Sequence, residues 1–338
     1  MSSDIKTIQK NTPDDKVLDQ TLRPDSFVEY IGQEAIKKNL HILLTAAKQR
    51  NHSPEHILFY GPPGLGKTTL AHLIAKEIGA SMKITSGPAI ERVGDLASLL
   101  TNLTPGDILF IDEIHRLNKN VEEILYPAME SGQMDIIVGK GPAARTIQLE
   151  LPPFTLIGAT TRIAMISSPL RSRFSGGVFR LEFYTDNEIQ KIIERSARIL
   201  SINLEEEAAA HIARRSRKTP RTANYLLKRC RDLAQIYDKS LQTDIVLEAL
   251  NMVGTDSMGL NKSDIDILET IIKKYNGGPV GLSTIAASLS EDEATIEDFN
   301  EPYLIQLGFI DRTPRGRVAT DKAYAHLDID YTNNEHNI

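Results

Sequence analysis

The sequence predicts an α/β phosphate-loop domain built on a parallel sheet, followed by a small helical lid domain and then a winged-helix domain. Three observations predict it. Between Phe27 and Tyr184, short apolar runs alternate with amphipathic helical stretches, as in a parallel sheet covered by helices. From Asp186 to about Gly254 the pattern is almost entirely helical. Beyond Asn261 comes helix, short helix, longer helix and hairpin, the order of a winged helix-turn-helix.

In chain order, residues 1–20 are polar, without the apolar core of a secretory signal, and read as a flexible lead-in to a large domain over 21–184. "HILFY" (His56–Tyr60), "DILFIDE" (Asp107–Glu113) and "FTLIGATT" (Phe154–Thr161) are buried strands. "KTTLAHLIAKEIG" (Lys67–Gly79) is a helix with Leu70, Leu73, Ile74 and Ile78 on one face and Gly79 as its stop. "QMDIIVGKGPAARTIQLEL" (Gln133–Leu151) is a protruding hairpin, and Ile136, Ile137 and Val138 in a row suggest that something covers it. The lid spans 185–258, the winged helix 259–330, and 331–338 is a polar, disordered tail. The last domain divides into helices at Ser263–Tyr275, Ser283–Leu289 and about Glu293–Leu307, the third interrupted by Pro302.

Composition narrows the class. The chain has 39 Lys+Arg against 45 Asp+Glu, a net charge of −6, which argues against a broad nucleic-acid-coating surface but not against a local basic patch. No apolar run approaches the roughly 20 residues that span a bilayer, and a cytoplasmic protein is expected. One cysteine, Cys230 in a helical pattern, leaves a plain buried thiol, and the eight histidines show no metal-ligand spacing.

"GPPGLGKTT" (Gly61–Thr69) stands between a strand and a helix, as a phosphate-binding loop must. Glycines such as Gly64 and Gly66 let backbone N–H groups curl around phosphates, and the helix N-terminus adds positive potential. Lys67 would reach the β- and γ-phosphates of ATP, and the Thr68 hydroxyl would coordinate Mg²⁺. In "LFIDEIH", Asp112 would hold the hydration shell of the Mg²⁺, and Glu113 would orient and polarise the attacking water. "LIGATT" ends in hydroxyls, making Thr161 the candidate for sensing the γ-phosphate, with Thr160 as rival.

Two arginine sites bear on the kind of ATPase. "SPLRSRF" carries Arg171 and Arg173 after the third strand, where an arginine can reach a neighbouring subunit's ATP or simply form a surface ion pair. In "KTPRTANYLLKR", Thr219 is an N-cap, Pro220 occupies N1 and Arg221 lies in the first turn, where it could read the γ-phosphate from the lid.

Phosphate loop, "IDE" strand, "PLRSRF" and a helical lid with "TPR" together resemble the AAA+ ATPases. More narrowly, "LRPDSFVEYIGQ", "GPPGLGKTTLA", "ILFIDEIHRL", "GPAARTIQLELPPFTLIGATTR", "RLEFY" and "TIEDFNEPYLIQLGFIDRTPRGRVAT" are similar to the RuvB family of Holliday-junction branch-migration motors, over about residues 21–327. That resemblance implies an ATP-driven DNA motor working as a homo-hexameric ring in recombination and repair. It puts Leu22, Arg23 and Tyr184 near the nucleotide, Gly64, Lys67, Thr68 and Thr69 on its phosphates, and Arg221 in the role of lid sensor. It makes Arg173 a finger completing a neighbour's site, docks the hairpin onto RuvA, and implies RuvC as a further partner. The chain departs from the family pattern at Ser172, where Asp is usual, at Ser131-Gly132, and at Lys218, where Gly is usual.

Residues 262–330 hold seven Lys/Arg and thirteen Asp/Glu. The helix that would read bases carries Glu297, Asp298 and Glu301, which would face phosphates in a groove, whereas the wing "RTPRGRVAT" carries Arg312, Arg315 and Arg317. DNA binding is therefore expected through the wing arginines, by sequence-independent contacts to the backbone or minor groove.

Overall fold

The computed structural model describes residues 20–138 and 145–330; the tail at 331–338 and all but the last residue of the lead-in lie outside them. Contacts divide the described chain into two compact units. The first comprises residues 20–60, 66–181 and 194–203, and the second 61–65, 182–193 and 204–330.

The first unit is organised by β1 (Ile57–Tyr60), β2 (Met82–Ser86) and β3 (Ile108–Asp112), then a hairpin of β4 (Gln133–Val138) and β5 (Arg145–Glu150), then β6 (Thr155–Thr160) and β7 (Gly177–Arg180). β1, β2, β3, β6 and β7 form one sheet in the order β2-β3-β6-β1-β7, every pair parallel. The central strands are near-continuous apolar runs because both faces are covered. Leu58, Leu109, Ile111 and Leu156 pack against Leu96, Leu100, Val121 and Leu125 from helices Val93–Thr101 and Lys119–Ser131. Alternation turns Ile57, Phe59, Phe110 and Ile157, all fully buried, to the opposite face. β2 and β7 are absent from the expected strand set for a physical reason: they are edges, with Ile84 54% and Val178 39% exposed.

On the hairpin, Met134 is fully buried, and Ile136, half-buried, packs with Leu149 against the first unit's own core. The side chains of Ile137 and Val138 lie outside the described residues. Ile147, paired with Ile136, is 46% exposed.

In the second unit, helices Glu206–Arg215, Pro220–Tyr237 and Thr243–Val253 bury Ala209, Ile212, Leu226, Leu227, Val246 and Leu250. Pro220–Tyr237 starts as its sequence dictates, with the Thr219 side chain accepting from the Thr222 N–H and Pro220 in the first turn. Cys230 is fully buried there, and burial pushes its thiol up to about 12, which makes it unreactive as a thiolate.

The winged helix builds its core from Leu260, Ile267, Leu268, Ile285, Leu304 and Phe309. The expected break at Pro302 does not occur. Glu293–Thr295 runs through a π-helical turn, Ile296–Asn300, into Glu301–Leu307, placing Pro302 in the first turn of that last segment. The helix continues past the missing N–H of Pro302, with the wider π-helical turn, closed by the Glu301 N–H on Ile296 O, directly before it. Strands β8 (Ile310–Thr313) and β9 (Gly316–Ala319) form the wing, joined across Pro314 and Arg315. Val280 extends the sheet by exchanging backbone hydrogen bonds with Arg317, its N–H donating at 3.0 Å and its C=O accepting at 2.8 Å.

Candidate active site

Strand order positions the chemistry. β1 and β3 flank β6, and their registers bring the C-terminal ends of all three together: Tyr60 pairs with Thr160, and Ile111 with Gly158. The crevice beyond the carboxyl ends of parallel strands, where strand order reverses, is the natural ligand site of such a sheet.

The phosphate loop leaves β1 and enters helix Lys67–Ile78 with Gly64 at φ +82° and Gly66 at φ +99°, a conformation that costs a side chain-bearing residue dearly. Gly66 is required sterically as well, since a Cβ there would sit 2.8 Å from the Tyr30 hydroxyl. Lys67 is 8% exposed at the helix N-terminus, and Thr68 and Thr69 follow half-buried. A buried ammonium and a helix N-terminus that opens behind Gly66 together suit a polyanion.

Asp112 ends β3, half-buried, and its Oδ1 accepts the Glu113 N–H at 2.9 Å. Glu113 turns left-handed at φ +48° and is exposed, its carboxylate 3.2 Å from Arg116. Thr160 is buried, bonded at 2.9 Å to His115 Nδ1 and accepting the Arg162 N–H at 2.9 Å. Its hydroxyl is thus committed within the protein, whereas Thr161, half-buried, lies just beyond the strand. Among the described residues, no group of three or more His, Cys, Asp or Glu side chains could hold a metal ion. A divalent ion here fits Thr68, Asp112 and nucleotide oxygens, the sparse protein ligation that Mg²⁺ tolerates.

Leu22 is 4% exposed. Its carbonyl and that of Arg23 accept from Arg195 at 2.9 and 3.2 Å. Arg195 also pairs with Glu29 at 2.7 Å, holding that carboxyl below the usual range. In the second unit, the buried Tyr184 donates its hydroxyl to the Leu65 carbonyl at 3.3 Å and its N–H to Lys218 O at 3.1 Å. Arg221 is exposed, with its backbone N–H 3.4 Å from the Gly64 carbonyl.

Arg173 donates to the Pro169 carbonyl at 2.8 Å and to Glu130 at 2.9 Å, and stacks 4.7 Å from the Tyr126 ring centre. Arg171, on the short helix Ser168–Ser172 that Arg173 caps, is exposed. Ser172 bonds back to Pro169 O, so the carboxylate orienting Arg173 comes from Glu130. Tyr30, Arg195, His115 and Glu130 escaped the sequence reading as site residues. Tyr30 and His115 lie inside motifs quoted for other residues, whereas Arg195 and Glu130 carry no local signal.

The wing requires another correction. Arg317 makes a bidentate ion pair with Glu301 at 3.0 and 2.9 Å, with side chains 11% and 4% exposed, so it is a structural residue rather than a DNA contact. Glu301 accordingly does not face outward to repel phosphates. Arg312 is exposed and 3.3 Å from Glu297, and Arg315 is exposed at the turn.

Lys218 lies at φ +54°, which accounts for the usual glycine at this place. A left-handed non-glycine residue costs about 1–2 kcal/mol, and glycine's extra unfolded-state entropy offsets part of the gain. Lys218→Gly is expected to stabilise the chain by about 0.5–1 kcal/mol in denaturant unfolding; a destabilisation would show that Lys218 makes a compensating contact.

Three family models match in series: the Holliday junction DNA helicase RuvB P-loop domain over residues 22–181, the RuvB AAA lid domain over 184–256 and the RuvB C-terminal winged helix domain over 257–328. The chain is 58% identical over 329 residues to the Holliday junction branch migration complex subunit RuvB of Dehalococcoides mccartyi, covering 97% of this chain and 94% of that protein. Its structure is similar to that of the Thermotoga maritima RuvB Holliday junction branch migration motor, with a TM-score of 0.84 at 49% identity over 93% of this chain and 100% of that one. A mutant form of the same Thermotoga protein gives a TM-score of 0.85 at 49% identity, covering 92% and 99%.

Proposed function

The chain belongs to the RuvB family of Holliday-junction branch-migration ATPases, and from that premise we propose that it hydrolyses ATP in a ring and converts the cycle into movement of a four-way DNA junction. The observation that carries the chemistry is the convergence, at neighbouring strand ends, of buried Lys67 with Asp112, Glu113 and the Thr160-Thr161 pair.

Lys67 and the loop N–H groups bind the β- and γ-phosphates, joined by Thr68 and Thr69. Thr68 and Asp112 would hold Mg²⁺, which when bound would supply charge neutralisation on the phosphate oxygens. Glu113 orients the attacking water and takes up its proton as the bond to the γ-phosphorus forms, and the ADP oxygen departs with the bonding pair. Thr161 reads the γ-phosphate, Arg221 does so from the lid, and Leu22, Arg23 and Tyr184 lie near the nucleotide. Arg173 stabilises transition-state charge in a neighbouring subunit's site, which makes a homo-hexameric ring part of the reading.

The same proposal includes RuvA docked on the hairpin, RuvC in a larger assembly, a cytoplasmic location, and DNA gripped through Arg312 and Arg315. Among the described residues no helix is long and apolar enough to cross a membrane. The deciding experiment is dissociation of a synthetic four-way junction by the chain with RuvA. Dissociation that needs ATP and is abolished by Glu113→Gln supports the reading; ATP turnover without any junction movement overturns it.

A further inference from the structure

A single short segment, Arg217–Arg221, touches both the winged helix and the phosphate loop, and the contacts described below lie inside the second unit. At its start, the Arg217 guanidinium pairs with Asp264, whose side chain is wholly buried. It also donates to the Phe299 carbonyl at 2.9 Å and lies 4.9 and 4.7 Å from the Phe299 and Tyr303 ring centres. Asp264 is saturated from its own side. Asn300 Nδ2 donates to it at 2.7 Å and the Asn261 N–H at 3.0 Å. A planar guanidinium sandwiched in this way cannot be matched by a lysine ammonium.

At the other end of the segment, the Lys218 carbonyl holds the Tyr184 N–H, and the Tyr184 hydroxyl bonds the Leu65 carbonyl. The Arg221 N–H reaches the Gly64 carbonyl, and a Cβ on Gly64 would lie 3.1 Å from Arg221 Cβ and 3.4 Å from Thr219 Oγ1. Between the ends, Arg217 and Lys218 are successive left-handed residues, both at φ +54°. Such a conformation persists where the surroundings over-determine it. A buried, sandwiched pair and a tightly kinked turn leave little slack between Asp264 and Gly64.

We propose that Arg217 is a positioning residue that ties the winged helix to the turn bearing the sensor Arg221, so that DNA binding and ATP binding are linked through it. The inference rests on the DNA-motor reading above. Arg217 need touch neither ligand; it acts through the placement of Arg221 and of the Gly64-Leu65 carbonyls. Linkage is reciprocal, so whatever factor DNA applies to nucleotide affinity, nucleotide applies to DNA affinity.

The test measures the affinity of the full chain for a non-hydrolysable ATP analogue, with and without a saturating DNA duplex at fixed salt. In the unsubstituted chain the two affinities are expected to differ by about fivefold or more. In Asp264→Asn and Arg217→Lys the ratio is expected to fall close to one, with analogue affinity in the absence of DNA changed less than about threefold. Phe299→Leu trims only the stacking, from a residue 51% exposed, and serves as the fold-preserving variant; its ratio is expected to fall partway. A ratio of one in the unsubstituted chain, or an unchanged ratio in the folded variants, overturns the proposal. Loss of stability alone does not produce the expected pattern, because it lowers both affinities together. If the unsubstituted chain binds neither analogue nor DNA, the motor reading has failed instead.

Discussion

Arg173→Ala is expected to bind ATP as the unsubstituted chain does and to lose turnover by about 10³–10⁵-fold, the range that arginine fingers supply in other nucleotide hydrolases. Mixing it with Glu113→Gln should restore part of the activity, because one subunit brings the water-orienting carboxylate and its neighbour the finger. Single-turnover hydrolysis in mixed rings is the measurement, and no recovery at any mixing ratio would sink the trans assignment. Within one chain Arg173 is held by Glu130 and Tyr126. Glu130 is 69% exposed, so the ion pair is worth about 0–1 kcal/mol and does not forbid release toward a neighbour. Glu130→Gln should therefore change turnover far less than Arg173→Ala.

The wing arginines are expected to separate into two kinds. Arg317→Ala leaves Glu301 charged, 4% exposed and unpaired, which should cost about 3–5 kcal/mol of stability. Arg315→Ala should shift stability by less than about 0.5 kcal/mol, lower DNA affinity alike across sequences and reduce the salt slope by about one. Urea unfolding paired with DNA titrations at several salt concentrations checks both. The division fails if Arg317→Ala is as stable as the unsubstituted chain, or if Arg315→Ala loses affinity for only some sequences.

The division also shows where sequence reasoning reaches its limit. Three arginines within six positions of "RTPRGRVAT" look equivalent in the chain, and so do Glu297, Asp298 and Glu301. Glu301 and Arg317 become a buried pair only because the π-helical turn and the wing bring them together across 16 residues. The same holds for Arg217 and Asp264, separated by 47 positions, and for Arg173 and Glu130, separated by 43. No local pattern marks such partners.

By itself the sequence determined the fold class, the central strands, the phosphate loop, the Asp112-Glu113 strand end and the capped start of the helix carrying Arg221. These are written locally, as apolar runs long enough to be buried on both faces, as glycines where φ must be positive, and as Thr-Pro at a helix start. Tertiary structure alone decided the edge strands β2 and β7, the packing of Ile136, the passage through Pro302, and which arginines remain available for a ligand. The physical reason is common to all four: each depends on burial by residues distant in the chain, and burial decides whether a charge is solvated, paired or left to meet a phosphate.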